Sequence, residues 1–260
     1  MGLPAIAFAA ACALSLAALA DVPPPSGAHP LGSPALEDVI LKFNDSLTFH
    51  AAFDGTPNAS IAVGDYVPKP PKALAYVPGK AGKALADGTV VFPGEGNLDG
   101  RAGAAALWVE MSRSGLTPKD EGAFSPLALE LQESAYRICK MHDGSLFSYF
   151  QEGGGGPGKI TKTVHTWVSS KNWKKGEWHL LALAWSPGSI RMSVDGRPFV
   201  ANNTMPGIAD KAARITVIAA APQEAKVAVA IDELMIFNRP LSNDEINWLW
   251  NTMGKYEPLR

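Results

Sequence analysis

Between Leu146 and Trp173 the 260-residue chain carries the side chains best suited to hold a ligand. Thr161, Thr163, His165 and Trp167 stand at alternate positions, so on a strand they share one face, with Ile160, Val164 and Val168 on the other. Hydroxyls, an imidazole and an indole presented together suit a sugar, whose edges take hydrogen bonds and whose ring stacks on an aromatic face for roughly 1 kcal/mol. Tyr149 lies on the preceding segment, across the glycine run Gly153 to Gly158. If the two segments pair as a hairpin, Tyr149 reaches the same surface. Trp173, among Lys171, Lys174 and Lys175, would sit on the adjoining loop. Tyr149, His165, Trp167 and Trp173 are therefore the candidate ligand-binding residues. The structural alternative is that Trp167 packs under a loop and Trp173 anchors the turn.

Catalysis has weaker support. A retaining glycosidase needs two carboxyl groups about 5 Å apart on one face. No Glu-x-Asp-x-Glu or Glu-x-Asp-x-x-Glu run occurs; the adjacent Asp232 and Glu233 point to opposite faces of a regular strand, and Glu130 and Glu133 are three apart. Tyr149-Phe150-Gln151 resembles the tyrosine strand of a polysaccharide lyase, without the arginine and histidine strands that accompany it. Gly153 to Lys159 imitates a phosphate loop, but Ile160 stands where Ser or Thr must hold magnesium, and a strand follows in place of a helix. None of His50, His142, His165 or His179 has a second His or Cys at zinc-ligand spacing. Cys139, within a strand pattern, reads as a small buried hydrophobe. The expectation is a non-enzyme with no catalytic residues.

The elements that must position these groups read as short strands between Gly, Pro and Asp turns. Apolar alternation aims Leu47, Phe49 and Phe53 at one face. Further strands are expected at 73–77, 89–92, 104–110, 127–131, 136–141, 146–151, 160–168, 178–185, 190–194, 214–219 and 226–237. With no helical crossovers between them, the fold class is all-β, an antiparallel sandwich. Trp108, Trp178 and Trp185 are expected to fill the space between its sheets. One helix is signalled near the C-terminus: Ser242 and Glu245 form a capping box, Ile246, Leu249 and Trp250 an apolar stripe, and Gly254 a stop.

Composition bounds the setting. Lys and Arg number 23 against 25 acids, which leaves no basic surplus for nucleic acid. Leu3 to Ala20 is an apolar or small run ending in Ala18-Leu19-Ala20, the small-x-small pattern of a signal peptide over 1–20. Met1-Gly2 lacks Lys or Arg, and about 18 apolar residues is also the lower limit of a spanning helix, so an uncleaved anchor is the alternative. Cys12 lacks the upstream Leu of a lipoprotein site. With the signal removed there is no membrane span, Cys139 is the remaining thiol, and the setting is secreted, periplasmic or cell-surface. Residues 21–35 form a proline-rich linker, and the domain runs over 36–260. Asn44, Asn58 and Asn202 begin glycosylation sequons.

Several weak motifs occur in a telling order. Gly176-Glu-Trp-His179 opens a strand, Val194-Asp-Gly196 turns a hairpin, and Ile231-Asp-Glu233 precedes Pro240-Leu-Ser242 and an acidic helix start. Upstream stand Phe53-Asp-Gly55, Gly79 to Leu85 and Ala105 to Val109. Over about Leu47 to Ile246 this resembles the laminin-G-like jelly rolls of the concanavalin A-like lectin/glucanase superfamily, least closely from Ser112 to Asn172. The resemblance implies two curved antiparallel sheets with binding on the concave face or rim loops, and a glycan, a matrix component or another extracellular protein as partner. It also implies a structural Ca²⁺ held by Asp54 and Asp232, with Asp65 a third ligand, although the Asp-x-Ser-Gly-Asn-Gly loop of many relatives is missing. Without the ion, Asp54 would shape a turn and Asp232 would accept backbone hydrogen bonds.

Overall fold

The structure is a computed structural model that describes residues 34–69, 73–111, 123–152, 159–205, 211–220 and 228–255, without the side chains of residues 34, 35, 159, 161 and 167. The expected signal segment and almost all of the linker lie outside the described residues. Among the described residues no helix is long and apolar enough to cross a membrane.

The chain enters through a helix, α1 (Pro34–Phe43), near the expected start of the domain, where no helix was expected. Proline is tolerated in a first helical turn, where its missing N–H has no intrahelical acceptor. Leu36, Val39 and Phe43 then recur at helical spacing and are all buried, with Glu37 in the first turn and Lys42 in the last, each favourable to the helix dipole. The strands follow as β1 (Leu47–Ala51), β2 (Ile61–Ala62), β3 (Ala75–Pro78), β4 (Lys83–Pro93), β5 (Gly103–Glu110), β6 (Phe124–Leu131) and β7 (Ser134–Lys140). After them come β8 (Ser145–Glu152), β9 (Lys159–Ser169), β10 (His179–Ser186), β11 (Ser189–Val194), β12 (Val200–Asn202), β13 (Ala212–Ala219) and β14 (Ala230–Phe237), with α2 (Asn243–Gly254) at the end.

Every described pairing is antiparallel. Sheet A runs β12-β11-β10-β5-β14, with β1 and β2 continuing beyond β14; sheet B runs β4-β13-β6-β7-β8-β9. Strand β4 serves both: Lys83 to Asp87 pairs with β3, Leu85 meets Ile231 of β14, and Gly88 to Pro93 pairs with β13. Gly88, at φ +106°, sits where the strand changes sheet, a backbone state that favours glycine. The result is the expected jelly-roll sandwich.

Two apolar cores flank sheet A. Between the sheets, Leu107, Val109, Leu181 and Trp185 meet Phe92, Leu129, Tyr136 and Phe150 of sheet B. On the opposite face of sheet A, Ala106, Trp108, Leu180 and Phe237 meet Val39 and Phe43 of α1 and Ile246, Leu249 and Met253 of α2. The tryptophans therefore divide. Trp185 lies between the sheets, stacked on Tyr136 at 5.1 Å with its Nε1–H donated to the Asp99 carbonyl. Trp108 stands one alternation out of phase, on the helix side, stacked on Trp250 at 5.1 Å. Trp178 is only half-buried, against the same helix-side core. The common face expected for Leu47 and Phe49 is likewise corrected: the register shifts between them, so Leu47 packs under the helices while Phe49 and Phe53 enter the inter-sheet core.

Candidate functional site

The β8–β9 hairpin forms as expected, with Tyr149 opposite Thr163 and Phe147 opposite His165. Tyr136, Ile138, Leu146, Phe150 and Val164 take the core side of these strands. Alternation then delivers Arg137 and Cys139 of β7, Phe147 and Tyr149 of β8, and Thr163 and His165 of β9 to the outer face of sheet B. Phe147 is the centre of a ring stack, parallel to Tyr149 at 5.7 Å and to His165 at 5.2 Å. Phe147 is buried, Tyr149 half-buried and His165 exposed, so the stack shows most of its area to solvent at the His165 end.

Polar groups complete this face. Burial, reinforced by the neighbouring Cys139, pushes the Tyr149 hydroxyl up to about 12. Burial likewise pushes the Cys139 thiol up, against its hydrogen bonds to Ser125 and Tyr149. Both stay neutral at pH 7 and act as hydrogen-bonding groups. Glu130 joins two cations across the strands, accepting from Arg137 at 3.5 Å and from Arg214 Nε. The surface thus combines a ring platform, hydroxyls and a paired guanidinium, which suits ligand contact.

The other expected ligand residues are placed differently. Trp167 belongs to β9 two residues beyond His165, but its side chain lies outside the described residues. Trp173 is half-buried against the inter-sheet core, the opposite side from Tyr149 and His165. Its ring lies flat on His179, with centroids 3.6 Å apart and planes at 5°, and His179 Nδ1 is 2.9 Å from Asp195. Phe147, Arg137, Glu130 and Arg214 were missed by sequence reading. Alternation within β7 and β8 put the first two on one face, but the register that aligns them with β9 is not encoded locally.

A second constellation joins the loop after β1 to the last strand, β14. Asp232 is fully buried; its oxygens accept the amides of Ala81 at 3.0 Å and Glu233 at 2.9 Å. Asp54 accepts the Lys83 amide at 2.6 Å. A Cβ on Gly79 would overlap the Asp232 carboxylate, and one on Gly82 would overlap that of Asp54. The 79–83 turn therefore fills the space between the two acids, and Lys80 ties it to α2 through the Gly254 carbonyl at 3.1 Å. Burial, then the charges of Glu233 and Asp54, hold the Asp232 carboxyl well above the usual carboxylate range, against the two amides that favour its charged form. Asp65 is exposed and caps its own turn through the Val67 amide at 3.0 Å. Calcium takes six to eight oxygens. Among the described residues no three His, Cys, Asp or Glu side chains converge as a metal set. The residues present do not fit a calcium centre.

Glu233, next in sequence, departs from regular strand geometry at φ +50°, within the register shift between Asp232 and Met235. Its carboxylate lies 2.7 Å from His50 Nε2, and His50 Nδ1 lies 2.5 Å from the hydroxyl of exposed Ser60. Ser60 Oγ is also 3.2 Å from the His50 carbonyl. Two of the proton arrangements that satisfy these contacts bear on function. Either Ser60 donates to a neutral imidazole whose Nε2–H bonds Glu233, or Ser60 donates to the carbonyl and an imidazolium donates to both partners.

The sheet-changing β4, the outer-face strands and the capped start of α2 fall within residues 82–247, which match the laminin-G-like model of the concanavalin A-like lectin/glucanases superfamily. The chain belongs to this superfamily. No curated protein sequence matches it. Solved structures share the fold at low identity. The binding domain of a paraclostridial mosquitocidal protein is 15% identical with a TM-score of 0.63, over 81% of this chain and 53% of that one. A botulinum neurotoxin type C structure, described as depending on two ganglioside molecules for cell entry, is 14% identical with a TM-score of 0.62, over 82% and 53%. The botulinum neurotoxin DC binding domain in complex with rat synaptotagmin II is 12% identical with a TM-score of 0.60, over 81% and 52%. The chain spans about half the length of these structures.

Proposed function

We propose that this chain is an exported, non-catalytic binding module that takes a glycan on the outer face of sheet B. The observation that carries the reading is the Tyr149–Phe147–His165 stack, bordered by Thr163 and Arg137. A sugar ring would lie on the exposed His165 end and take hydrogen bonds from Thr163 and Tyr149. Superfamily membership and likeness to toxin binding domains support a binding role. The apolar run from Leu3 to Ala20 supports export to a secreted, periplasmic or cell-surface location. The experiment is a glycan array with the purified chain, on which retention of at least one glycan class supports the reading. Retention of none, together with capture of an extracellular protein partner, would favour an adhesion module.

One observation favours a second reading, a hydrolase. Ser60, His50 and Glu233 form a hydroxyl–imidazole–carboxylate chain whose hydroxyl end is exposed. In the proton arrangement that serves a nucleophile, Ser60 donates to Nδ1; in the other, the same groups only tie β1, the turn before β2 and β14 together. Labelling by a fluorophosphonate probe, lost in Ser60→Ala, would establish the hydrolase; an unlabelled, folded protein supports the structural role.

We read Asp54 and Asp232 as acceptors that clamp the 79–83 turn, with amide donors in the place a cation would otherwise take.

A further inference from the structure

At one end of sheet B a cleft of about 330 Å³ opens where β4 ends, β13 begins and β6 ends. Its apolar lining comes from the buried Phe92 and Leu131 with Pro93 and Ala213, and its polar lining from Lys69, Gln132 and Arg214. This volume lies at the lower end of the range for small-molecule sites. Lys69 is exposed and held in place through its backbone, whose N–H donates to the Val91 carbonyl at 2.9 Å. The same loop exposes Tyr66 and Val67, at 45% and 44%.

The cleft is joined to the ring-stack face. Arg214 Nε and Arg137 share the one carboxylate of Glu130, and Arg137 pairs in register with Tyr149. Two guanidiniums share the one carboxylate of Glu130, and Lys69 adds a further cation at the cleft. Charge and shape point the same way: an apolar wall for the carbon face of a ring, beside a planar guanidinium whose remaining N–H groups form the fork that fits a carboxylate.

Resting on the glycan-binding reading above, we propose that this cleft is a subsite for a uronic acid unit, its carboxylate taken by Arg214 and Lys69. From β13 to β8 is three strand spacings, about 14 Å, so a ligand that reaches both the cleft and Tyr149 is an oligomer. Each unit of such a chain gains from the linkage to the other.

The test is calorimetric titration of the purified chain with a tetramer of galacturonic acid, with the same tetramer after carboxyl reduction, and with a sulfated neutral tetramer. We expect the acidic tetramer to bind at least tenfold more tightly than the reduced one, and added salt to erase most of that preference. Arg214→Gln and Lys69→Gln, both at exposed positions, should each lower affinity for the acidic tetramer by about tenfold, and Lys69→Gln should leave the reduced tetramer unchanged. Equal affinities for acidic and reduced tetramers, or an acidic affinity untouched by both substitutions in folded protein, overturn the subsite. In that outcome, binding of the reduced tetramer that is lost in Tyr149→Ala leaves the ring-stack reading intact. Preference for the sulfated over the uronic tetramer overturns the carboxylate assignment, and failure of all three to bind overturns the subsite, the ring-stack reading then being decided by the glycan array.

Discussion

His50 Nε2 lies 2.7 Å from the Glu233 carboxylate, and the two side chains are 0% and 3% exposed. The contact joins β1 to β14 where β14 leaves its regular ladder, so a buried charge is answered across two strands that are distant in sequence. Removing one partner leaves the other buried and unanswered.

His50→Ala is therefore expected to destabilise the fold by about 3 to 5 kcal/mol, as for other broken buried pairs. The double variant His50→Ala/Glu233→Ala should cost clearly less than the sum of the singles. Urea denaturation of the four proteins measures this coupling, and strict additivity would deny the pair.

Two carboxyls give stability opposite dependences on pH. Asp232 is raised above 3.8 in the fold, so the folded state holds its proton more tightly than the unfolded chain. Its contribution is fully present below about pH 4 and is lost as pH climbs through the raised folded value. Glu245 is lowered from 4.5 to about 2, first by Arg239 and also by the Ser242 amide and hydroxyl. Its contribution is present above about pH 4.5 and is lost as pH falls through about 2. Denaturation from pH 2 to 8 should show Glu245→Gln losing the rise between about pH 2 and 4.5, and wild type losing ground to Asp232→Asn above pH 4. Parallel curves for all three proteins would contradict both assignments.

The turn clamp makes a contrary prediction to a calcium site. The melting temperature should be the same with millimolar Ca²⁺ and with chelator, whereas an ion bound only by the folded state would raise it. Substituting Gly82 by Ala should be destabilising in either medium, because φ is +64° and the new Cβ meets the Asp54 carboxylate. A chelator-sensitive melting temperature restores the ion.

The sequence was legible where one local rule acts alone. The capping box of α2 is present in full, with the Ser242 side chain accepting from the Glu245 amide and the Glu245 side chain accepting from that of Ser242. The Asp195-Gly196 turn closes beyond β11, with both residues at positive φ. Legibility failed where a residue has two possible faces. Strands β5 and β14 are buried throughout, so a period of two could not tell that Trp108 faces the helices while Leu107 faces sheet B. The positive φ of Glu233, within the register shift of β14, is an irregularity that strand periodicity does not encode. For the site, the shared face of Thr163 and His165 was readable. Trp173 was not, because its partner His179 arrives from the next strand over a loop.

Tryptophan packing provides a stability check on the two cores. Trp185→Ala and Trp108→Ala should each cost about 3 to 5 kcal/mol, since both rings are nearly fully buried. Trp250→Ala should cost less in the background of Trp108→Ala than in wild type, because the stacked pair then no longer exists. Independent effects at 108 and 250 would argue against α2 lying on sheet A.

The central claim is that the outer face of sheet B binds a glycan through the Tyr149–Phe147–His165 stack. The direct measurement is the affinity of wild type, His165→Ala and Tyr149→Ala for a glycan retained on the array, with Trp173→Ala as a control from the opposite side of the sheet. The account predicts a loss of at least fivefold for both His165→Ala and Tyr149→Ala, roughly 1 kcal/mol, and an unchanged affinity for Trp173→Ala. Unchanged affinity in His165→Ala and Tyr149→Ala with a loss in Trp173→Ala would contradict it.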